Sequence, residues 1–206
     1  MFKIKVLGFI LLSLIIGCGP STVNTAKENL NVESRPWIPY AGNESVVYEY
    51  DTNNWVFTGS GKDIYYENVR YMSDQSGFFK VQEDYYADLE RQELNLDSPY
   101  TPYFIKYYLE RNKGETGDWD VIRISVGDGD YYKNEMKIVT YESDDFDKGE
   151  NYKSYFPTKV LNGITFDSVY YSEQERRPFG VYYNKRYGVV AFKVSSAELW
   201  TIKLDK

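Results

Sequence analysis

The sequence predicts an all-β domain, or one nearly so, in a single folded unit. Three observations predict it. Aromatic residues make up 18% of the 206-residue chain, with 22 tyrosines, and Tyr favours strands. Short strand-like segments recur between Gly, Asn, Asp and Ser turn signals. Helical periodicity is scarce, leaving room for at most one or two short helices.

The elements follow in order along the chain. Apolar residues first gather at Pro36-Trp37-Ile38-Pro39, which marks the start of the domain. Ser45–Tyr50 and Trp55–Thr58 are strand-like, with Asp51-Thr52-Asn53-Asn54 as the turn between them. Gly59-Ser60-Gly61 breaks the chain before Asp63–Met72. Ser73 to Gly77 is a further turn, followed by Phe78–Tyr86 and Ala87–Leu96. Residues 83–94 also fit one amphipathic helix, so two readings stay open there. Tyr103–Glu110 and Trp119–Val126 are extended, joined through Lys113 to Asp118. Tyr131–Glu142 alternates polar and apolar residues, and an acidic loop from Ser143 to Gly149 follows. Asn162-Gly163 is the strongest hairpin signal, because both residues of a type I′ turn need positive φ. It leads into Ile164–Tyr171. Gly180–Tyr183, Gly188–Val194 and Glu198–Leu204 make a three-stranded meander, turning at residues 184–188 and 195–197. The count is about ten antiparallel strands.

The N-terminus carries a different signal. Lys3 and Lys5 precede the apolar run Val6–Gly17, and Cys18 follows at once. A positive start, about a dozen apolar residues and a small residue before the cut make a secretory signal peptide. The run is shorter than the roughly 20 residues a membrane span needs. Ile15-Ile16-Gly17-Cys18 resembles the lipobox of bacterial lipoproteins. The resemblance implies cleavage before Cys18, a diacylglyceryl group on its thiol and a further acyl chain on its amine. Two chains suffice for stable anchoring. The expected organisation is a signal peptide over 1–17, a lipidated flexible tether over 18–35 and an antiparallel β domain over 36–206. In enteric lipoproteins an Asp after the cysteine signals inner-membrane retention, and in Bacteroidota an acidic tag signals surface export. Gly19 follows Cys18 and no acid precedes Glu28, so the expected place is the outer membrane facing the periplasm, or, in a Gram-positive cell, the outer face of the cytoplasmic membrane.

Composition excludes several functions. Removing residues 1–17 takes away two lysines and moves the net charge from −7 to −9. An acidic domain without a basic stripe does not suit a phosphate backbone, so nucleic acid is not an expected partner. The chain has no histidine, which removes Ser-His-Asp and Cys-His catalysis and most zinc sites. With Cys18 acylated, no thiol remains for nucleophilic chemistry or a disulfide. No cofactor, metal ligand or catalytic residue is assigned, and the chain is not expected to be an enzyme.

Short motifs add little. Gly59-Ser60-Gly61-Lys62 has the wrong spacing for a phosphate loop, and Asp63 stands where Ser or Thr is needed. Gly127-Asp128-Gly129-Asp130 is an ordinary turn composition, with Val139 where an EF-hand loop would end in Glu. Asp144, Asp145 and Asp147 make a solvated acidic loop. Paired carboxylates are the one hydrolytic mechanism left open. Asp167-Ser168-Val169 resembles the short O-glycan acceptor of exported Bacteroidota proteins.

Six tyrosine pairs occur, at 65–66, 85–86, 107–108, 131–132, 170–171 and 182–183. Neighbouring side chains on a strand point to opposite faces, so each pair puts one ring on each side. Cross-strand aromatic pairing accounts for them most simply. An aromatic surface for a ligand is the functional alternative.

Val181 to Lys193, with Asn162-Gly163-Ile164-Thr165-Phe166 and Val169-Tyr170-Tyr171 upstream, resembles the ends of uncharacterised Bacteroidota envelope lipoproteins. That resemblance implies a strongly curved sheet, a half-barrel or open barrel, similar to periplasmic carriers of lipids and lipoproteins. The expected function is a membrane-anchored, non-enzymatic binding module for an apolar ligand or a partner protein. The alternatives are a structural partner in an outer-membrane assembly and a glycan binder or carboxylate-dependent glycan hydrolase.

Overall fold

The fold is given by a computed structural model, which describes residues 21–25, 27–76, 81–115, 117–128, 133–143, 150–173 and 179–204. Twelve strands form one curled sheet, a half-barrel, with a single 3₁₀ turn at Arg35–Trp37 and no α-helix among the described residues. The strands are β1 (Ser21–Asn24), β2 (Ser45–Tyr50), β3 (Asn53–Ser76), β4 (Val81–Asp97), β5 (Phe104–Lys113) and β6 (Asp118–Gly127). The second half holds β7 (Lys133–Glu142), β8 (Ser154–Leu161), β9 (Ile164–Glu173), β10 (Gly180–Asn184), β11 (Gly188–Lys193) and β12 (Leu199–Ile202). Their order across the sheet is β7-β6-β5-β4-β3-β2-β12-β11-β10-β9-β8. Every pairing on that path is antiparallel; β1 lies off it, parallel to β4.

The all-β expectation and the curved half-barrel hold. The C-terminal meander forms with the expected turns, and Asn162-Gly163 makes its hairpin with φ of 47° and 80°. Asp51, with φ of 54°, turns the chain between β2 and β3.

Several elements differ from expectation, each for a physical reason. Gly59-Ser60-Gly61 does not end a strand. It is a bulge within the 24-residue β3, where the register with β4 shifts between Gly59 and Lys62. A Cβ on Gly59 would lie 2.1 Å from the Gly42 carbonyl oxygen, so the bulge needs glycine for close backbone approach. Ser73–Ser76 continue β3 instead of turning, and β4 is one strand where two were expected. Residues 83–94 are extended, not helical, because β3 pairs along their whole length. Gly77–Lys80, Tyr131-Tyr132 and residues 144–149 lie outside the described residues. β8 was not anticipated: it holds Pro157 and is the terminal strand of the sheet, where a missing N–H is tolerated.

The largest correction concerns the tether. From Ser21 onward the segment assigned to a flexible leash is built into the fold. Ser21–Asn24 pair with Glu83–Tyr86, and the Thr25 and Glu28 amides donate to the carbonyls of Tyr86 and Asp88. Residues 28–40 then cross the sheet as a strap. The Leu30 amide donates to Glu90 Oε2 at 3.0 Å, and the Asn31 amide to Asp120 Oδ2 at 2.7 Å. The hydroxyl of Thr140, on β7, donates to Ser34 Oγ. Arg35 Nη2 meets Glu90 Oε2 at 2.8 Å, while Arg111 bridges Asp118 and Asp120. Leu30, Ser34 and Ile38 are buried. A polar sequence without period docks here because its donors find buried carboxylates on distant strands.

The interior is filled by large rings. Tyr48, Tyr107, Tyr183, Phe57, Phe166 and Phe192 are fully buried; Leu30 and Ile38 of the strap belong to the same cluster, and Trp37, partly buried, packs against it. Tyr48 donates to the Val189 carbonyl at 2.7 Å, and the Val189 amide donates to Tyr107 Oη at 2.9 Å. The two edges of the curled sheet meet through a bridge between Lys137 and Asn151, and through Asn134 Nδ2 donating to the Ser172 carbonyl.

Beyond the barrel, β3 and β4 extend as an arm. β5 leaves β4 after Arg91, and β1 takes over the vacated edge from Glu83 to Tyr86. Only Ala87 and Leu89 are buried hydrophobics in this part of β4, so backbone pairing holds the arm together more than packing does.

Candidate functional site

An open cleft of about 810 Å³ lies between the strap, β9 and the β10–β11 turn. Pro36, Ile38, Pro39 and Tyr40 form one wall, Thr165 to Ser168 another, and Asn184 to Tyr187 the third. The site thus needs three segments that are distant in sequence.

Local chemistry fixes each wall. Asn184 Oδ1 accepts the amides of Arg186 and Tyr187 at 2.8 and 3.1 Å, which shapes the tight basic turn. Asn184 Nδ2 donates to the Asp167 carbonyl and ties the turn to β9. The Tyr40 hydroxyl donates to the Tyr187 carbonyl at 2.6 Å, and the Tyr183 hydroxyl donates to the Trp37 carbonyl. These bonds fasten the strap to the C-terminal meander. Gly188 has φ of +76°, and a Cβ there would lie 2.7 Å from both Tyr107 Oη and Tyr40 Oη. Glycine is therefore required where the turn passes the strap.

The floor is aromatic and the rim is cationic. Phe166 and Tyr187 meet edge to face at 5.9 Å. Arg186 lies over the Tyr187 ring at 5.0 Å, and Lys185 over Trp37 at 5.2 Å. Burial pushes the Tyr40 phenol up to about 12, against a lowering hydrogen bond with Tyr107. Burial, reinforced by Tyr155 and Tyr152, likewise pushes Tyr170 up to about 12. Both phenols are un-ionised at neutral pH.

Ser168 has φ of 55°, an uncommon backbone state for a residue other than glycine, at the edge of the cleft. It is exposed, and the Tyr155 hydroxyl donates to its Oγ at 3.2 Å. Asp167 is the only carboxylate among the described residues of the cleft wall. A paired-carboxylate mechanism therefore finds one partner here, not two.

Residues singled out from sequence distribute unevenly. Ile15, Ile16, Gly17 and Cys18 lie outside the described residues, as do Asp144, Asp145 and Asp147. No group of three or more Asp, Glu or Cys side chains among the described residues could hold a metal ion. Among the tyrosine pairs, 170–171 and 182–183 form a cross-strand block: Tyr182 opposes Tyr171, and Tyr183 opposes Tyr170. Tyr171 and Tyr182 stack at 4.4 Å. Tyr107 is core while Tyr108 is half-buried, and Tyr65 and Tyr66 are exposed on the arm. None of these pairs lines the cleft. Tyr40, Lys185, Arg186 and Tyr187, which do, carried no functional assignment; the apolar Pro36–Pro39 stretch was the one available signal. No protein-family model, curated protein or solved structure matches this chain.

Proposed function

We propose that the protein is a cell-envelope lipoprotein, held to a membrane by acyl chains on Cys18, whose β domain binds a partner protein through the strap cleft. One observation carries the binding half. The concave interior, where a carrier would hold an apolar ligand, is occupied by buried rings and the strap, while the open site is a surface cleft with an aromatic floor and cationic rim. Aromatic and Arg side chains are the usual anchors of protein interfaces. The anchoring half rests on Ile15-Ile16-Gly17-Cys18, and the residues around Cys18 favour the periplasmic face of the outer membrane.

A small apolar ligand is the second reading. The cleft volume of about 810 Å³ falls within the range of small-molecule sites, roughly 300–1,000 Å³.

Metabolic labelling with an alkyne fatty acid tests the anchor. The native protein takes up label and stays in the membrane fraction after a salt wash; Cys18→Ala loses both. A membrane-retained, unlabelled Cys18→Ala protein overturns the anchor. A photo-crosslinking side chain in place of Arg186 tests the site in intact cells. One discrete protein adduct supports the partner reading. Its absence, with an organic-extractable mass on the purified protein, transfers the cleft to a small ligand.

A further inference from the structure

We propose that the β1–β3–β4 arm is a standoff that sets the height and orientation of the barrel, so that the end bearing the cleft faces the membrane. The inference rests on the lipid anchor at Cys18. Its own basis is the register of β1.

β1 runs parallel to β4, and Ser21 sits opposite Glu83, close to the outer end of the arm. The chain then travels along β4 toward the barrel and crosses to Glu28 opposite Leu89. From Glu83 to Arg91, where β5 pairing begins, β4 covers eight residues, roughly 27 Å at the usual strand rise. Cys18 lies three residues before Ser21, a reach of at most about 11 Å. An acyl group on Cys18 therefore enters the bilayer beside the arm's outer end, not beneath the barrel. A free leash of 18 residues would let the domain tumble; a paired one does not.

The same registers place the cleft. β4 enters the barrel from the arm side, and antiparallel pairing carries that direction across the sheet. Lys113 and Asp118, the start of β2, the end of β12, the start of β11 and the end of β10 all fall at the arm's end of the barrel. Asn184–Tyr187 belong to that end, and Ser168 adjoins them, one residue from the last β9–β10 pair, Val169 with Asn184. Arm and cleft thus project from the same rim, on different walls. With the arm's outer end at the bilayer, the cleft looks into the layer between membrane and barrel. Its partner is then a protein segment lying close to the membrane surface, not one arriving from the far side.

The base of the arm is tied down. Lys113 Nζ meets Glu28 Oε1 at 2.6 Å, and the Glu90 amide donates to the Glu28 carbonyl at 3.0 Å. These contacts make β1 and the strap one continuous path from the membrane to the core.

The test uses the full lipidated protein in lipid vesicles. Its native cysteine is acylated, so an introduced cysteine takes the label alone. A fluorophore is placed at Asp74→Cys on the outer arm, Asp63→Cys at the arm's base, or Ser196→Cys at the opposite end of the barrel. Energy transfer to a dye on the lipid headgroups then reads height. The expected order is strongest at 74, intermediate at 63 and severalfold weaker at 196. Val23→Pro, which removes an amide from β1, is expected to flatten that gradient while the protein stays in the membrane fraction. Equal transfer at all three positions, or strongest transfer at 196, overturns the standoff and leaves the anchor intact. A native protein that carries no acyl group, or a Cys18→Ala protein that binds the vesicles as well as the native one, overturns the anchor and the standoff together.

Discussion

Tyr107 Oη, on β5, accepts the backbone amide of Val189 on β11 at 2.9 Å, across the interior of the half-barrel. Tyr48 donates to the carbonyl of the same residue. A single peptide position is thus satisfied from both sides by phenols of two other strands. Tyr107→Phe leaves the Val189 amide buried without an acceptor, which costs about 1–3 kcal/mol. Urea unfolding of the variant is expected to show that loss in the midpoint, with an unchanged slope. A change within about 0.5 kcal/mol, the range of an inert surface substitution, contradicts the role.

Alkaline pH should dismantle this network. Burial raises the phenols of Tyr48, Tyr107 and Tyr183 well above 10, and Tyr40 to about 12. A group whose folded pKa is raised stabilises fully below its unfolded value, near 10, and that contribution is lost as pH climbs toward the folded value. Each fully buried phenol adds a slope of about 1.4 kcal/mol per pH unit in that window. Stability is therefore expected to be flat with respect to these groups below pH 10 and to fall steeply above it. Tyrosinate absorbance near 295 nm and circular dichroism, followed together, check it. Part of the tyrosinate signal should appear only with unfolding.

Glycines should rank by what a Cβ meets. Gly59→Ala puts a methyl 2.1 Å from a carbonyl oxygen, and Gly188→Ala puts one 2.7 Å from two phenols at positive φ. Gly163→Ala also has positive φ, at +80°, but opens onto empty space. Gly163→Ala is expected to cost about 1 kcal/mol and the other two more. Thermal melts of the three variants decide the order.

The strap should peel when its carboxylate latch is removed. Glu90 Oε2 receives both the Leu30 amide and the Arg35 guanidinium, and Glu90 is buried. Glu90→Ala is expected to cost about 1–3 kcal/mol and to raise amide exchange in residues 28–35 ahead of the barrel strands. Glu90→Gln, which keeps an acceptor oxygen, should preserve most of the protection. Hydrogen exchange with mass spectrometry reads both. Uniform exchange across the whole chain in Glu90→Ala counts against a separately docked strap.

What was legible in the sequence was local. Asn162-Gly163 carries its own backbone demand, and the three C-terminal strands pair with neighbours only a turn away. Gly59-Ser60-Gly61 was ambiguous in kind, because glycine permits both a turn and a bulge; the Gly42 backbone that decides between them comes from a separate loop. The strap was not legible. Its composition matches a linker, and its partners stand 60 residues away at Glu90, 89 at Asp120 and 147 at Tyr187. The cleft inherits that difficulty, since one of its three walls is the strap. The proposed anchor is the reverse case, resting on local sequence around Cys18 alone.

β2 pairs with β3 on one edge and with β12 on the other, with Tyr48 opposite Ile202 and Glu49 opposite Thr201. The first strand of the barrel thus waits for the last. A chain made or delivered N-terminus first can zip β2 through β7 as successive hairpins and seat the start of the strap on Glu90 and Asp120, but the outer edge of β2, the Trp37–Tyr40 end of the strap and the cleft have nothing to close upon until residues 180–204 arrive. Pairing over such separations is slow, because the loop entropy is lost before the contacts form. The timing of closure is therefore written into the topology: the half-barrel stays open until residues 180–204 are made, and the cleft takes shape only then.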